Sequence, residues 1–426
     1  MVELSIGQKQ AFDAYKEGKN AFITGPGGVG KSFIIREIQK DAERRGKSLQ
    51  VCAMTGCAAI LLQCGAKTLH SWAGIGLANG SIDEIIDRIN KYNKVYTWLR
   101  TDILIVDEVS MLSMRLFNML NTIGKNIRKN DKPFGGIQLI FSGDFYQLPP
   151  VPERNVEGSS KFCFESDEWA NTFTTHIELK TNFRQNNGDF VDILNQIRIG
   201  QLDDKAHQVL QSRVGETTDS AVQPVKLFPR KHSVDRINRD NIQAIKEPIK
   251  TFTASVMNEA DADIPQKKLN DEEAYLRKNA LFDEKVRIKK RSQVMCIANV
   301  DLDLGVCNGS VGVVEDYSYD GYPIVKFNNG VKRTMEPHLW SSETIRGFGI
   351  MQVPLILAWA VTIHKVQGAT LDMLEIDIGK NIFEYGQTYV GLSRVKTIDG
   401  LFIKSFAPEK IKVNAKVKKF YDSMND

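Results

Sequence analysis

The stretch Ala21-Phe-Ile-Thr-Gly-Pro-Gly-Gly-Val-Gly-Lys-Ser32 decides the fold of this chain. It begins with an apolar strand, A-F-I-T, and leads into a helical pattern, S-F-I-I-R-E-I. The glycine spacing between the two is that of a phosphate-binding loop in its strand–loop–helix context. An ordinary glycine-rich turn is the alternative, but such a turn requires neither the full pattern nor both flanking elements. The stretch therefore predicts an α/β protein that binds a nucleotide.

The loop supplies the first candidate binding residues. Glycines let backbone N–H groups turn inward around phosphate oxygens, and the N-terminus of the helix adds a favourable dipole. The lysine would neutralise charge on the terminal phosphates of ATP, and the serine hydroxyl would bind Mg²⁺. These candidates are Gly25, Gly27, Gly28, Gly30, Lys31 and Ser32.

A pair of carboxylates follows another apolar strand, in Leu104-Ile-Val-Asp-Glu108. The strand delivers them at its C-terminal end, where α/β sheets bind ligands. Asp107 is a candidate for holding Mg²⁺, directly or through water, and Glu108 for orienting and deprotonating an attacking water. A lone Asp-Glu pair is usually a solvated turn, but a strand at this distance after a phosphate loop favours the functional interpretation.

Three further side chains are candidates for sensing and stabilising the γ-phosphate. Gln147, in F-S-G-D-F-Y-Q-L-P-P, follows an apolar strand and could bond both the phosphate and the water; a rigid loop is the alternative. Arg184 and Arg394 both follow the expected domain boundary. If both reach the γ-phosphate, the nucleotide lies between two domains and hydrolysis moves them. A surface ion pair is the common alternative for any arginine.

The composition is that of a globular protein. The chain has 426 residues, 42% of them hydrophobic, and a formal net charge of +4, which is too small for a histone-like binder. The longest apolar stretch, Val353 to Ile363, is interrupted by Pro354 and is too short to span a bilayer. The six cysteines form no C-x-x-C pair, and several lie in apolar, strand-like runs, which suits free thiols in a reducing compartment. We therefore expect an intracellular protein, and the short apolar stretch predicts no membrane span.

Short strand-like runs alternate with helical stretches, which predicts two α/β units with a boundary near residues 158–171. The interval from Ser71 to Arg100 resembles a small insertion, and 258–278 a charged loop. Recurrent N-G and D-G pairs between residues 284 and 353 predict an antiparallel β-module. The expected strands are Asn20–Thr24, Leu49–Met54, Asp102–Val106 and Ile137–Ser142 in the first unit, and Thr175–Leu179, Val225–Phe228, Gln293–Ile297, Leu355–Val361 and Leu401–Lys404 in the second.

The motifs together, in this order, resemble the superfamily one, class B DNA helicases, and most of all the Pif family (petite integration frequency). RecD-type and phage Dda-type helicases are similar. The resemblance rests on the loop above and on V-D-E-V-S-M-L, F-G-G-I-Q-L-I-F-S-G-D-F-Y-Q-L-P-P-V, L-K-T-N-F-R-Q, A-W-A-V-T-I-H-K-V-Q-G-A-T-L-D and Q-T-Y-V-G-L-S-R. It runs from Gln8 to about Phe402, which is nearly the whole chain.

The resemblance implies an α/β fold with two RecA-like parallel-sheet motor domains and small inserted domains, one of them an SH3-like β module. The first motor would comprise residues 1–71 and 101–175, with a wedge insertion at 72–100. The second would comprise 176–283 and 354–426, with the SH3-like insertion at 284–353.

The resemblance also assigns residues. Gln8 would read adenine, and Gln367 and Gly368 would lie at the interdomain nucleotide cleft. The residues aligned with the single-strand track are Thr55, Gly56, His70, Ser71, Thr362, His364 and Lys365. Segments 226–250, 285–291 and 404–420 are rich in Lys and Arg and could add to this track, although a solvated face is the simpler interpretation of each.

These expectations combine into an ATP- and Mg²⁺-dependent helicase that moves 5′ to 3′ on single-stranded DNA. Its substrates would be tailed or forked duplexes, with quadruplexes and RNA–DNA hybrids left open, and it would act as a monomer. Single-strand-binding, replication or recombination proteins could be partners. Two alternatives stay open: a class B RNA or RNA–DNA helicase, since contacts to a 2′-OH leave no motif, and a DNA-dependent ATPase subunit that grips DNA without unwinding it.

Overall fold

The first of two units contains a six-stranded sheet that carries the phosphate-binding loop. The computed structural model describes residues 3–424 except 77, 79, 92, 154–155, 186–187, 221, 229, 302, 343–344, 367–368 and 380–383. The first unit comprises Met1–Gln201, Glu384–Gly386 and Ile411–Asp426, and the second Leu202–Phe383 and Gln387–Lys410.

The strands of the first sheet all run parallel, in the order β3-β2-β4-β5-β1-β6. The inner strands are buried on both faces, which explains why they read as continuous apolar runs. Their bounds are β1 (Ala21–Thr24), β2 (Leu49–Ala53), β3 (Lys67–Thr68), β4 (Ile103–Asp107), β5 (Gln138–Ser142) and β6 (Thr175–Glu178).

The predicted domain boundary at residues 158–171 is wrong, because it assigns β6 to the second unit. Thr175 lies opposite Ala21 of β1 in the first sheet. Ile177 and Leu179 complete a core with Ala11 and Tyr15, so this segment is needed to close the sheet on one side. The first unit consequently continues to Gln201.

Helices cover both faces of this sheet, and the interval from Ser71 to Arg100 packs into its core. Trp72 and Trp98 are buried there with ring centroids 4.5 Å apart. Ser81 and Glu84 begin one of its helices by accepting each other's backbone N–H groups. The helices are α1 (Ile6–Lys16), α2 (Lys31–Arg44), α3 (Gly56–Leu62), α4 (Leu69–Ala73), α5 (Ile82–Lys91), α6 (Val95–Arg100), α7 (Met114–Arg128), α8 (Asp167–Thr172) and α9 (Gly188–Ile199).

The second unit has its own parallel sheet of four strands, in the order β18-β7-β19-β20. These strands are β7 (Val225–Phe228), β18 (Ala360–Thr362), β19 (Leu374–Ile378) and β20 (Leu401–Phe406). The helices of this unit are α10 (Asp204–Ser212), α11 (Lys231–Ala244), α12 (Gln266–Asn279) and α13 (Gln387–Leu392).

Antiparallel sheets complete the second unit. The N-G and D-G pairs predicted such strands at 284–353, but strands at 250–258 and 355–357 also belong to these sheets. The turns at Asp320-Gly321 and Asn329-Gly330 join successive strands of a five-stranded sheet, β14-β13-β12-β11-β17. Two smaller sheets have the orders β10-β8 and β15-β16-β9. The strands are β8 (Lys250–Thr253), β9 (Ser255–Asn258), β10 (Lys285–Ile288), β11 (Gln293–Cys296), β12 (Val311–Tyr317), β13 (Pro323–Phe327), β14 (Lys332–Thr334), β15 (His338–Ser341), β16 (Phe348–Gln352) and β17 (Leu355–Leu357).

Two predictions about the second unit are wrong. The apolar run 355–361 is not one strand. The Ala358 N–H donates to the carbonyl of Gln293 in the antiparallel strand β11, whereas the Trp359 carbonyl accepts the N–H of Lys226 in the parallel strand β7. The run therefore leaves the antiparallel sheet and enters the parallel one as β18. The charged segment 258–278 is largely the helix α12, which Leu269 anchors in a small apolar cluster.

The chain ends in the first unit with the helix α14 (Ala415–Asp422), which Asn414 caps at its N-terminus. Val417 and Tyr421 on one face of α14 are buried in the core of that unit. The sequence had placed this segment in the second motor domain. Among the described residues, no helix is both long and apolar enough to cross a membrane.

Candidate functional site

The phosphate-binding loop connects β1 to α2, as the sequence predicted. Gly30, directly before the helix, has φ 83°. A Cβ atom there would lie 2.5 Å from Nε2 of Gln8, and one on Gly28 would lie 2.7 Å from Cβ of Arg184. Neither position has room for a side chain, so the glycines keep the inner surface of the loop open to backbone contacts.

The ammonium of Lys31 lies within this loop. It donates hydrogen bonds to the carbonyl oxygens of Gly25 at 2.6 Å and Pro26 at 2.9 Å. Burial lowers the pKa of Lys31, while the nearby carboxylates of Asp144 and Glu108 oppose that shift. Lys31 is therefore a cation held close to a group of acids at the carboxyl edge of the sheet.

Asp107 is the last residue of β4, and the residue is 5% exposed. Burial raises the pKa of Asp107, and the Ser142 hydroxyl and the Lys31 ammonium act against that rise. Glu108 follows with φ 56°, in the left-handed region that non-glycine residues seldom adopt. This backbone bend turns the chain sharply after the strand, and strained positions of this kind cluster at functional sites.

The segment after β5 carries Gln147. Its backbone N–H donates to the Asp144 carbonyl at 2.9 Å, and the residue is 5% exposed. Asp144 is fully buried and accepts two hydrogen bonds from Arg198, at 2.9 Å and 3.0 Å. The buried ion pair thus anchors the segment that ends in Gln147.

Arg184 and Gln8 both lie against the phosphate-binding loop. The Phe183 N–H donates to the Gly28 carbonyl at 2.8 Å, and Oδ1 of Asn182 accepts from the Arg184 N–H at 2.8 Å. Gln8 is buried and accepts the Ser5 N–H with its side chain. Arg184 belongs to the first unit, so the prediction that it follows the domain boundary is wrong.

Arg394 lies in the second unit, just after α13. It is buried, and its guanidinium donates to the carbonyl of Val390 at 2.9 Å and to the Ser393 hydroxyl at 2.8 Å. The predicted cleft residues Gln367 and Gly368 lie outside the described residues.

The predicted track residues of the first unit lie at the carboxyl edge of its sheet. Thr55 follows β2, and its hydroxyl accepts the Ala58 N–H where α3 begins at Gly56. His70 and Ser71 follow β3 within α4, and they are partly exposed. Because β2 and β3 are parallel neighbours, both pairs of residues emerge on the same side of the sheet.

The predicted track residues of the second unit lie at the end of β18, where Thr362 is its last residue, and in the turn directly after it. The Thr362 hydroxyl accepts the Lys365 N–H at 3.3 Å, and the Lys365 ammonium pairs with Asp283 at 3.3 Å. The side chain of His364 lies outside the described part of the structure. In the basic segment 285–291, the Lys289 ammonium donates to the carbonyl of Ile245, and the Lys290 ammonium forms an ion pair with Asp316.

Sequence reasoning missed several residues that hold the site together. Asp144 stands inside a quoted motif, but only Gln147 of that motif was singled out. Arg198 and Tyr421 lie in helices outside every motif, and Tyr421 bonds Thr24 beside the phosphate-binding loop. An arginine at helical spacing among the apolar residues of α9 was a signal that the sequence offered for Arg198.

Comparison with known proteins shows the family to which this chain is similar. A family model described as PIF1-like helicase matches residues 3–208. The chain is 33% identical to the ATP-dependent DNA helicase PIF1 of Xenopus laevis, over 99% of this chain and 65% of that protein. It is 34% identical to the crystal structure of a Pif1 helicase from Candida albicans, with a TM-score of 0.77 over the full length of both. This chain belongs to the Pif1 helicase family.

A second Pif1 structure, from Bacteroides sp in complex with ADP-AlF4, has a TM-score of 0.81 at 26% identity and covers 100% of this chain and 98% of that one. These likenesses confirm the predicted α/β fold with parallel-sheet cores and additional strand-rich regions. The chain spans 65% and 63% of the lengths of the PIF1 proteins from Xenopus laevis and Emericella nidulans.

Proposed function

We propose that this chain is an ATP-dependent DNA helicase that translocates 5′ to 3′ on single-stranded DNA and unwinds duplexes. The observation that carries the proposal is the collection of Lys31, Asp107, Glu108, Gln147 and Arg184 at one edge of the first sheet. Membership of the Pif1 family supports it, as does the Bacteroides Pif1 structure bound to ssDNA.

Binding of ATP falls to the phosphate-binding loop. Its N–H groups and the Lys31 ammonium would bind the β- and γ-phosphates, and Gln8 beside Gly30 would contact the adenine. Lys31 already donates to carbonyls of its own loop, so it can exchange those bonds for stronger ones to phosphate oxygens.

Ser32 and Asp107 would hold Mg²⁺. A hydroxyl and a carboxylate are the hard oxygen donors that Mg²⁺ prefers, alongside water and substrate phosphates. The fit is supported by the buried Asp107 carboxylate, whose ionised form a cation would stabilise. When bound, the ion neutralises charge on the β- and γ-oxygens of the nucleotide.

Hydrolysis then needs a base and cations near the γ-phosphate. Glu108 would orient and deprotonate the water, Gln147 would bond both water and phosphate, and Arg184 would stabilise the developing charge. Arg394, from the second unit, would supply a second cation. We propose that the two units are the two motor domains.

The track residues would bind the strand in both motors. Hydroxyl and backbone groups at Thr55, Gly56, Ser71 and Thr362 suit phosphate oxygens, and Lys365 adds a charge. Tailed and forked duplexes are the proposed substrates. We propose that the chain acts as a monomer. One Pif1 structure is described as two coordinating helicases at forked dsDNA, so action as a pair at a fork is the alternative.

The test is ATP-dependent strand displacement by the purified chain on duplexes with either a 5′ or a 3′ tail. We expect displacement with the 5′ tail only. Displacement with only a 3′ tail would reverse the proposed polarity, and ATP turnover without displacement would favour a DNA-dependent ATPase subunit. A matched RNA tail that stimulates turnover better than DNA would favour the RNA helicase.

A further inference from the structure

The hydroxyl of Tyr421 lies between the two loops that carry the nucleotide site of the first unit. It lies 2.6 Å from Oγ1 of Thr24, the residue that precedes the phosphate-binding loop. It accepts the Phe145 N–H at 3.1 Å and donates to Oδ1 of Asp144 at 3.4 Å. One side chain from the C-terminal helix therefore bonds the end of β1 and the segment leading to Gln147.

The surroundings of Tyr421 keep this arrangement in place. Its ring stacks on that of Tyr146 with centroids 4.6 Å apart and an interplanar angle of 11°. The Arg198 guanidinium lies 4.7 Å from the Tyr146 ring and 5.4 Å from the Tyr421 ring while it binds Asp144. Tyr421 is 7% exposed, so these contacts exclude most water from its hydroxyl.

The proton count of this cluster is consistent with a neutral phenol. Burial raises the pKa of Tyr421 well above its ordinary value, and the Asp144 carboxylate adds to the rise. Either hydroxyl of the Thr24–Tyr421 pair can supply the proton of their hydrogen bond. In both cases the Tyr421 oxygen is bonded to the end of β1 and to the segment that leads to Gln147, so it links the two loops.

We propose that Tyr421 is a positioning residue for ATP hydrolysis, which holds the phosphate-binding loop and the Gln147 segment in register. This inference rests on the proposed function. Tyr421 is not placed to touch the nucleotide, and its effect passes through Thr24 and Asp144. Loss of the hydroxyl should disturb the alignment needed in the transition state more than the binding of ATP itself.

The decisive variant is Tyr421→Phe, which keeps the ring stack and removes the oxygen. We expect kcat for DNA-stimulated ATP hydrolysis to fall about fivefold, equivalent to about 1 kcal/mol, with KM for ATP changed less than about twofold. The matched control is Tyr15→Phe, which removes another buried phenol of the same unit. Tyr15 donates to Asp41 at 3.1 Å, and neither residue belongs to the proposed site. This control should keep its kcat.

The same bond can be tested from its other end if Tyr421→Phe folds poorly. Thr24→Val should reproduce the loss in kcat, and Thr24→Ser, which keeps the hydroxyl, should retain most of the activity. Combining Thr24→Val with Tyr421→Phe should cost little more than Tyr421→Phe alone, because that variant already lacks the bond between the two hydroxyls. Additive losses would show that the two residues act separately and would overturn the proposal.

A readout independent of activity separates this inference from the proposed function. Amide hydrogen exchange in the protein without nucleotide should accelerate in residues 24–31 and 143–148 of Tyr421→Phe but not of Tyr15→Phe. Unchanged exchange there would overturn the positioning role even if the wild-type chain hydrolysed no ATP. An unchanged kcat, or an equal loss in Tyr15→Phe, would overturn it as well.

Discussion

Replacing Arg198 by alanine should destabilise the first unit severely. Asp144 is fully buried, and Arg198, with an exposed side-chain fraction of 8%, is bonded to both of its carboxylate oxygens. Removing one partner of such a pair leaves a buried charge uncompensated, which costs about 3–5 kcal/mol. The stacking of the guanidinium against Tyr146, at 4.7 Å, is lost in addition.

The assay is denaturant unfolding followed by tryptophan fluorescence, since Trp72, Trp98 and Trp169 all lie in the first unit. A graded series sharpens the result. Arg198→Lys keeps the charge but loses the bidentate geometry, so it should fall between the wild type and Arg198→Ala. Arg198→Met combined with Asp144→Asn should recover a large part of the loss, because the carboxylate charge is then absent.

The predicted destabilisation requires Asp144 to be inaccessible to water. A loss below about 1 kcal/mol for Arg198→Ala would match an exposed ion pair and would refute it. The prediction would also be refuted if Arg198→Met combined with Asp144→Asn were no more stable than Arg198→Met alone. The uncompensated Asp144 charge would then not be the source of the lost stability.

Lys31→Ala should lower ATP turnover by at least about a hundredfold while single-strand binding without nucleotide persists; loss of that binding would point to unfolding instead. Glu108→Gln should trap the ATP-bound state, because an amide cannot accept the proton, and a normal rate of hydrolysis would reject Glu108 as the base. His176 is exposed on β6, and partial desolvation there lowers its pKa, so the native state disfavours the added proton. The contribution of His176 to the free energy of unfolding should therefore be at its maximum above the ordinary histidine pKa of about 6.5, and it should decrease as the pH falls below that value. His176→Gln should flatten that pH dependence, and an unaltered profile would exclude His176 as a source.

Elements set by local pattern were predictable from the sequence. The strand ending at Thr24 and the phosphate-binding loop were located correctly, since an apolar run and a glycine spacing are local features. The assignment of Thr175–Glu178 to the second unit failed because the partner of a strand depends on long-range pairing, here with β1. The run 355–361 was misread for a related reason, since one apolar run can supply strands to two sheets.

The interactions that hold the candidate site in place were beyond local pattern. Thr24 and Tyr421 are 397 positions apart in the chain, and no spacing rule connects them. A motif reveals side chains that touch a ligand, because ligand chemistry restricts the residue types allowed there. A positioning side chain is restricted only by the shape of its neighbours, so several residue types could serve in different chains. The effect of Tyr421→Phe on kcat, set against that of Tyr15→Phe, therefore measures a contribution that the nucleotide-binding motifs do not contain.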